Sequence, residues 1–152
     1  MKASTISTRR SPNEVIAAFQ TLYHTLGPGQ VERSALAAVY REDLRFEDPF
    51  HQIDGLTALH NYFESLYQNV RSIRFEFHQL WVNSDDAMQT WTMHLTHPRL
   101  NGGKAFAVEG CSLLRFDDRI FYHRDYFDGG QLLYENVPIL GSVIRTLKQR
   151  LA

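Results

Sequence analysis

The sequence predicts an α+β fold: a strongly curved antiparallel sheet forming a cone-shaped barrel, covered by three N-terminal helices and followed by a C-terminal amphipathic helix. Three observations predict it. Before residue 72, apolar residues recur at helical spacing in three separate segments. From residue 72 the period becomes two, through four long segments separated by turn compositions. The last stretch, "PILGSVIRTLKQRL", returns to helical spacing with a cationic face.

The first ten residues read as a polar tail. "SPNE" then starts a helix: Ser11 caps free backbone N–H groups, Pro12 suits the first helical position, and Glu14 completes a capping box. Val15, Ile16, Phe19, Leu22, Tyr23 and Leu26 follow at helical spacing, and "GPG" at 27–29 stops the helix. A shorter helix runs through "VERSALAAVY". In "DLRFEDPF", Leu44, Phe46 and Asp48 share one face of a short extended segment, and Pro49 forces Asp48 out of the helical region. The third helix, "LTALHNYFESLYQNV", carries Leu56, Leu59, Phe63, Leu66 and Val70 on one stripe, flanked by His60 and Tyr67. The strands "SIRFEFHQLWV", "AMQTWTMHLTH", "KAFAVEGCSLLRF" and "RIFYHRDYF" form a meander. Gly110, mid-strand, marks a bend, a bulge or a close ligand approach. Three parts result: a tail at 1–10, the cone-shaped domain at 11–130 and a helical extension at 131–152.

Composition bounds the function. A chain of 152 residues is one domain with a proper core. The formal net charge of −1, from 16 basic and 17 acidic residues, provides no field for nucleic acid. Cys111 is the single cysteine, so an intrachain disulfide or thiolate metal cluster is excluded and a reducing compartment is expected. His94 and His97 point to opposite faces, His123 and Asp125 make only two ligands, and no metal is expected. No run reaches the roughly 18 apolar residues of a membrane span. The N-terminus lacks a secretory h-region, and a cytoplasmic location is expected. Three cations on the final helix are few for membrane anchoring, so that helix is expected to fold back over the barrel or a partner subunit.

The stretch "IFYHRDYFD", residues 120–128, mixes apolar and ionisable groups on both faces. An ordinary core strand keeps its acids on the wet side, so one face is expected to line a cavity.

The order of elements, with "VYREDLRFEDPF", "DGLTALHNYF", "LLRF" and "RIFYHRDYFD", resembles the nuclear transport factor two-like superfamily and, within it, the SnoaL-like and ketosteroid isomerase-like branch. The resemblance covers about Ser11 to Gly130 and implies a cone-shaped barrel, usually a homodimer. It implies further that Asp48 matches the general-base aspartate of the isomerases and that Tyr23 matches their oxyanion-hole tyrosine. Where those enzymes carry a protonated aspartate this chain has Ser112, a weaker donor. Asp125 matches an aspartate that looks catalytic in the polyketide cyclases. Alignment by "RI" and "YF" puts His123, Asp125 and Phe127 on the cavity face, with Tyr122, Arg124 and Tyr126 outward.

These residues support two roles each. Asp48 is a base in an apolar surround of Phe46 and Phe50, or the acceptor of an Asx turn before Pro49. His123 beside Asp125 is a proton shuttle, or a buried pair that stiffens the sheet. Asp48 and Asp125 in one cavity would push each other's pKa values apart. The expected catalytic residues are Asp48, Asp125, His123 and Tyr23. The expected ligand-binding residues are Phe46, Phe63, Trp91, Ser112 and Phe127, with Met93 and Leu95 alongside Trp91 as pocket or core wall. The leading reading is a cofactor-independent isomerase, cyclase or lyase acting on a small apolar, carbonyl-bearing molecule. Its rival is a non-catalytic ligand-binding or dimerisation module of the same fold.

Overall fold

The structure, a computed structural model, describes residues 9–133, 136 and 138–151. Most of the polar tail expected at 1–10 therefore lies outside the described residues. Helix α1, Pro12–Thr25, begins with the expected box: Ser11 Oγ accepts from the Glu14 N–H at 3.2 Å, and Glu14 Oε2 accepts from the Ser11 N–H at 2.7 Å. Val15, Ile16, Phe19, Leu22 and Tyr23 form its buried face. Helix α2 spans Arg33–Val39, and Tyr40, expected within it, instead opens strand β1, Tyr40–Glu47. A three-residue strand β2, Gln52–Asp54, precedes helix α3, Leu56–Gln68.

The four expected strands follow as β3, Ser72–Val82, β4, Asp86–Thr96, β5, Phe106–Phe116, and β6, Ile120–Phe127. They belong to one six-stranded sheet in the order β2-β1-β6-β5-β4-β3. All pairings are antiparallel except β1 with β6, which is parallel. The sheet is curved and unclosed, with β2 and β3 as its edges. Register shifts at Phe77/Leu80 and Arg115/Phe116 supply bends, since an extra residue on one strand increases local twist.

Gly110 is not one of these bends: its pairing with Trp91 and Phe127 is in step. A Cβ at residue 110 would lie 2.7 Å from the Trp91 Cζ2 atom and 2.7 Å from the Tyr126 carbonyl oxygen, so glycine admits both the indole ring and the neighbouring backbone. The core lies between the concave face and the helices, with α1 against β3 and α3 against β1. Each fully buried Phe or Leu there stabilises the fold by roughly 1.5–3 kcal/mol. β4 alternates strictly, burying Ala87, Gln89, Trp91, Met93 and Leu95. Buried Gln89 is satisfied: its Oε1 accepts from Gln20, and its amide donates to the Gln79 and Thr90 carbonyls.

The buried stripe of α3 differs from the expected one at its C-terminal end. Tyr67 is 3% exposed, whereas Leu66 is 45% exposed. The step of four from Phe63 to Tyr67 keeps to the inner face, and Leu66 falls at the rim of a cavity instead. After β6, a short helix α4, Gly129–Leu132, leads to helix α5, Pro138–Leu151. The apolar side of α5 was expected to fold back over the barrel or a partner subunit. In the single chain it is not covered: Ile139, Leu140, Val143, Leu147 and Leu151 are exposed. No helix among the described residues is long and apolar enough to cross a membrane.

Candidate functional site

A cavity of about 540 Å³ occupies the wide end of the cone. Its walls are the rings of Phe46 from β1, Tyr62, Phe63 and Tyr67 from α3, Phe75 from β3 and Trp91 from β4. Strand β6 contributes Asp125 and Phe127, the loop after β1 contributes Asp48, and α1 contributes Tyr23. Among the described residues no arginine or lysine lines it. An apolar chamber with a few convergent polar groups is the usual form of a small-molecule site.

The geometry separates the expected site residues into two groups. Asp48, Asp125, Tyr23, Phe46, Phe63, Trp91 and Phe127 reach the cavity. His123 and Ser112 do not line it. His123 is fully buried because the rings of Phe19, Tyr23, Tyr40 and Phe46 enclose its imidazole. Ser112 is buried and donates to the carboxyl of Asp125.

Asp125 is held from within the wall. Its Oδ1 accepts from Ser112 Oγ at 2.5 Å and lies 2.6 Å from His123 Nε2. Ser112 in turn accepts from the Trp91 Nε1–H at 2.9 Å, which fixes the indole that walls the chamber. No donor among the described residues reaches Asp125 Oδ2. Every buried side-chain N or O among them has a partner, so Oδ2 is open, and its side chain, 16% exposed, lies on the cavity wall. Behind it, His123 Nδ1 is 2.8 Å from the Tyr40 hydroxyl, which is 3.0 Å from the Tyr23 hydroxyl.

Asp48 is engaged at both oxygens. Oδ1 accepts from the backbone N–H groups of Phe50 and His51 at 2.8 and 2.7 Å, the Asx turn anticipated before Pro49. Oδ2 accepts from the Tyr62 hydroxyl at 2.8 Å. Its side chain is only 6% exposed, and the His51 ring lies 3.2 Å from Oδ1. Burial, with Asp48 close by, pushes the Tyr62 phenol far above its ordinary value, and burial raises Tyr67 likewise. Burial also holds Tyr23 and Tyr40 well above the usual tyrosine range.

Sequence reasoning missed Tyr40, Tyr62 and His51. Tyr40 was placed on a helix, although the run of hydrogen-bonding groups depends on its being the first residue of β1. Tyr62 sits beside the stripe residue Phe63, and no spacing signal ties it to Asp48, 14 residues earlier. Among the described residues no three His, Cys, Asp or Glu side chains converge as a metal site.

The comparisons bear on this architecture. No curated protein matches the sequence significantly. Among solved structures, an LEH-like epoxide hydrolase of M. tuberculosis shares 19% identity over 89% of this chain and 98% of its own, with a TM-score of 0.67. A hypothetical protein with a ketosteroid isomerase-like fold from Catenulispora acidiphila DSM 44928, in complex with trimethylamine, shares 15% identity over 84% and 94%, with a TM-score of 0.68. A candidate SnoaL-like polyketide cyclase from Jannaschia sp. CCS1 shares 12% identity over 84% and 91%, with a TM-score of 0.65. At such identities the likeness speaks for the fold alone. The SnoaL-like domain model, however, matches residues 19–123, from the first helix to the buried histidine of β6. The chain therefore belongs to the SnoaL-like domain family, on the nuclear transport factor two-like fold.

Proposed function

We propose that this protein binds a small, largely apolar, oxygen-bearing molecule in the cone and catalyses proton transfer on it, without an organic cofactor, as in an isomerisation, cyclisation or dehydration. The observation that carries the reading is the Asp125 carboxyl: one oxygen is fixed by Ser112 and His123, and the other is open on an apolar chamber. A base so placed is oriented by its anchored oxygen, and little water competes with substrate for the free one. Asp125 is the base in this reading, and Tyr23 is the hydroxyl that contacts the substrate oxygen. Asp48, with both oxygens engaged, orients Tyr62 and His51.

The test is deuterium exchange at the carbon next to the carbonyl in a panel of apolar ketones, followed by NMR. Wild-type protein is expected to accelerate exchange, and Asp125→Asn to lose about 100-fold or more of that acceleration. Asp48→Asn is expected to retain it within about tenfold. Exchange undiminished in Asp125→Asn overturns the assignment. Binding with no exchange in any ketone supports the rival, a ligand-binding module. That rival is favoured by the internal satisfaction of Asp48.

The outer sheet face exposes Trp81, at 56%, and Tyr126. This apolar area supports the homodimer that the resemblance implies. Sedimentation of wild type against Trp81→Glu tests it, a loss of dimer being expected.

A further inference from the structure

Tyr23 and Asp125 are the two ends of one chain of hydrogen-bonding groups, and both ends line the cavity. Between them stand Tyr40 and His123, which do not line it. The links measure 3.0 Å from Tyr23 to Tyr40, 2.8 Å from Tyr40 to His123 Nδ1, and 2.6 Å from His123 Nε2 to Asp125. A phenol has one hydrogen and a neutral imidazole one N–H, so the members cannot choose their directions separately. With Asp125 ionised and His123 neutral, Nε2–H donates to the carboxylate and Nδ1 accepts from Tyr40. Tyr40, its hydrogen used, accepts from Tyr23. Tyr23 is then left with only a lone pair to offer a ligand. A proton added to the His123 ring places a hydrogen on Nδ1, whereas one added to the open Asp125 Oδ2 leaves Nδ1 an acceptor. With Nδ1 protonated, Tyr40 must donate to Tyr23, and the Tyr23 hydrogen is left free for a ligand.

We propose that Tyr40 and His123 make Tyr23 a two-way specificity switch. Tyr23 accepts from a ligand hydroxyl when His123 Nδ1 is bare, and it donates to a ligand carbonyl when Nδ1 holds a proton. This rests on the reading that the cavity takes an apolar, oxygen-bearing molecule. Tyr40 is a positioning residue: it touches no ligand and acts through Tyr23.

Two features support the switch. Burial raises the Tyr23 and Tyr40 phenols well above their ordinary range, so they stay neutral and transmit direction without carrying charge. The titratable groups around the pair are few: Tyr23 from α1, Tyr40 from β1, Tyr62 and Tyr67 from α3, and Cys111 from β5. Burial raises the thiol and every one of these phenols, which keeps them protonated too. Asp48, His51 and His97 also line the cavity. Among the described residues no arginine or lysine lines the chamber to override the switch.

The experiment uses two probes of one skeleton that do not titrate: 2-acetylnaphthalene, an acceptor, and 1-(2-naphthyl)ethanol, a donor. Their Kd values are measured at about pH 5.5 and about pH 8.5, with His51→Gln and His97→Gln in the background to silence the other cavity histidines. The preference for ketone over alcohol is expected to rise about fivefold or more on going to the lower pH, the worth of one satisfied against one unsatisfied hydrogen bond. Tyr40→Phe and Tyr23→Phe are each expected to flatten that change to within about twofold. A preference constant with pH in the parent, or a change that survives Tyr40→Phe, overturns the switch.

A ligand-free readout separates this proposal from the binding reading. Nitrogen-15 NMR of His123 is expected to show Nε2 protonated and Nδ1 bare at the higher pH. A protonated Nδ1 there overturns the switch whatever binds. If neither probe binds at either pH, the binding reading fails, and the histidine spectrum still decides the direction of the chain.

Discussion

His123 Nε2 lies 2.6 Å from Asp125 Oδ1, two residues along the same strand. The pair exists because residues two apart share a face of β6, and the neighbouring strands decide what each one meets. Across β5 the partner of Asp125 is Ser112, and the partner of His123 is Leu114. Across β1 the partner of His123 is Phe46. A polar group is therefore offered to the acid while rings and aliphatics seal the imidazole. A slip of one residue would turn the whole set to solvent.

Removing Ser112 disconnects two partners at once. Ser112→Ala leaves the Trp91 N–H without its acceptor and deprives Asp125 of a donor in a buried site. We expect a loss of about 1–3 kcal/mol, the usual cost of stranding a buried polar group, measured by urea denaturation. An unchanged midpoint would show that water replaces the hydroxyl.

At Gly110 the expected effect is steric. Gly110→Ala drives a methyl into the Trp91 ring and should cost about 1–3 kcal/mol. The same substitution in a Trp91→Leu background should cost clearly less, and a double-mutant cycle by thermal denaturation measures the difference. Equal costs in both backgrounds would refute the contact as the cause.

Alkaline pH should unfold the protein. Burial raises Tyr23, Tyr40, Tyr62 and Tyr67 above the ordinary value of 10.0 in the folded state. A group with a raised folded pKa holds its proton more tightly when folded. Its contribution is complete below the unfolded value and is lost as pH climbs past it towards the folded one. Stability should accordingly fall from about pH 10 upward. Phenolate absorbance and far-UV circular dichroism recorded together check this: part of the tyrosine signal should appear only as ellipticity collapses. Complete titration in a folded protein would contradict the burial of these hydroxyls.

Helix α5 should be dispensable for the fold of the domain. Its apolar side is exposed, and it is tied to the rest by contacts such as the exposed Lys148 pair with Asp128 at 3.0 Å. Exposed pairs of this kind contribute little. A chain ending at residue 137 is expected to melt cooperatively within a few degrees of the full protein by calorimetry. A large drop in Tm would reveal packing beyond this pair.

The amino-acid order determined the elements, and did so because their signals are local. The capping box at Ser11, the helical spacing through Leu26 and the alternation through Trp91, Met93 and Leu95 each need only a few neighbouring residues to be read. On β6 alternation grouped His123, Asp125 and Phe127 on one face, and the family resemblance turned that face towards the cavity. Tertiary structure alone decided which inner-face groups meet the cavity and which lie sealed beneath it. His123 and Asp125 share a face, yet one is enclosed by four rings and the other opens on the chamber. Tyr40 joined the site only once β1 lay parallel to β6, and Tyr62 found Asp48 only through the docking of α3 on β1. Such meetings are set by register and packing between segments far apart in the chain, and a period counted within one segment carries no record of them.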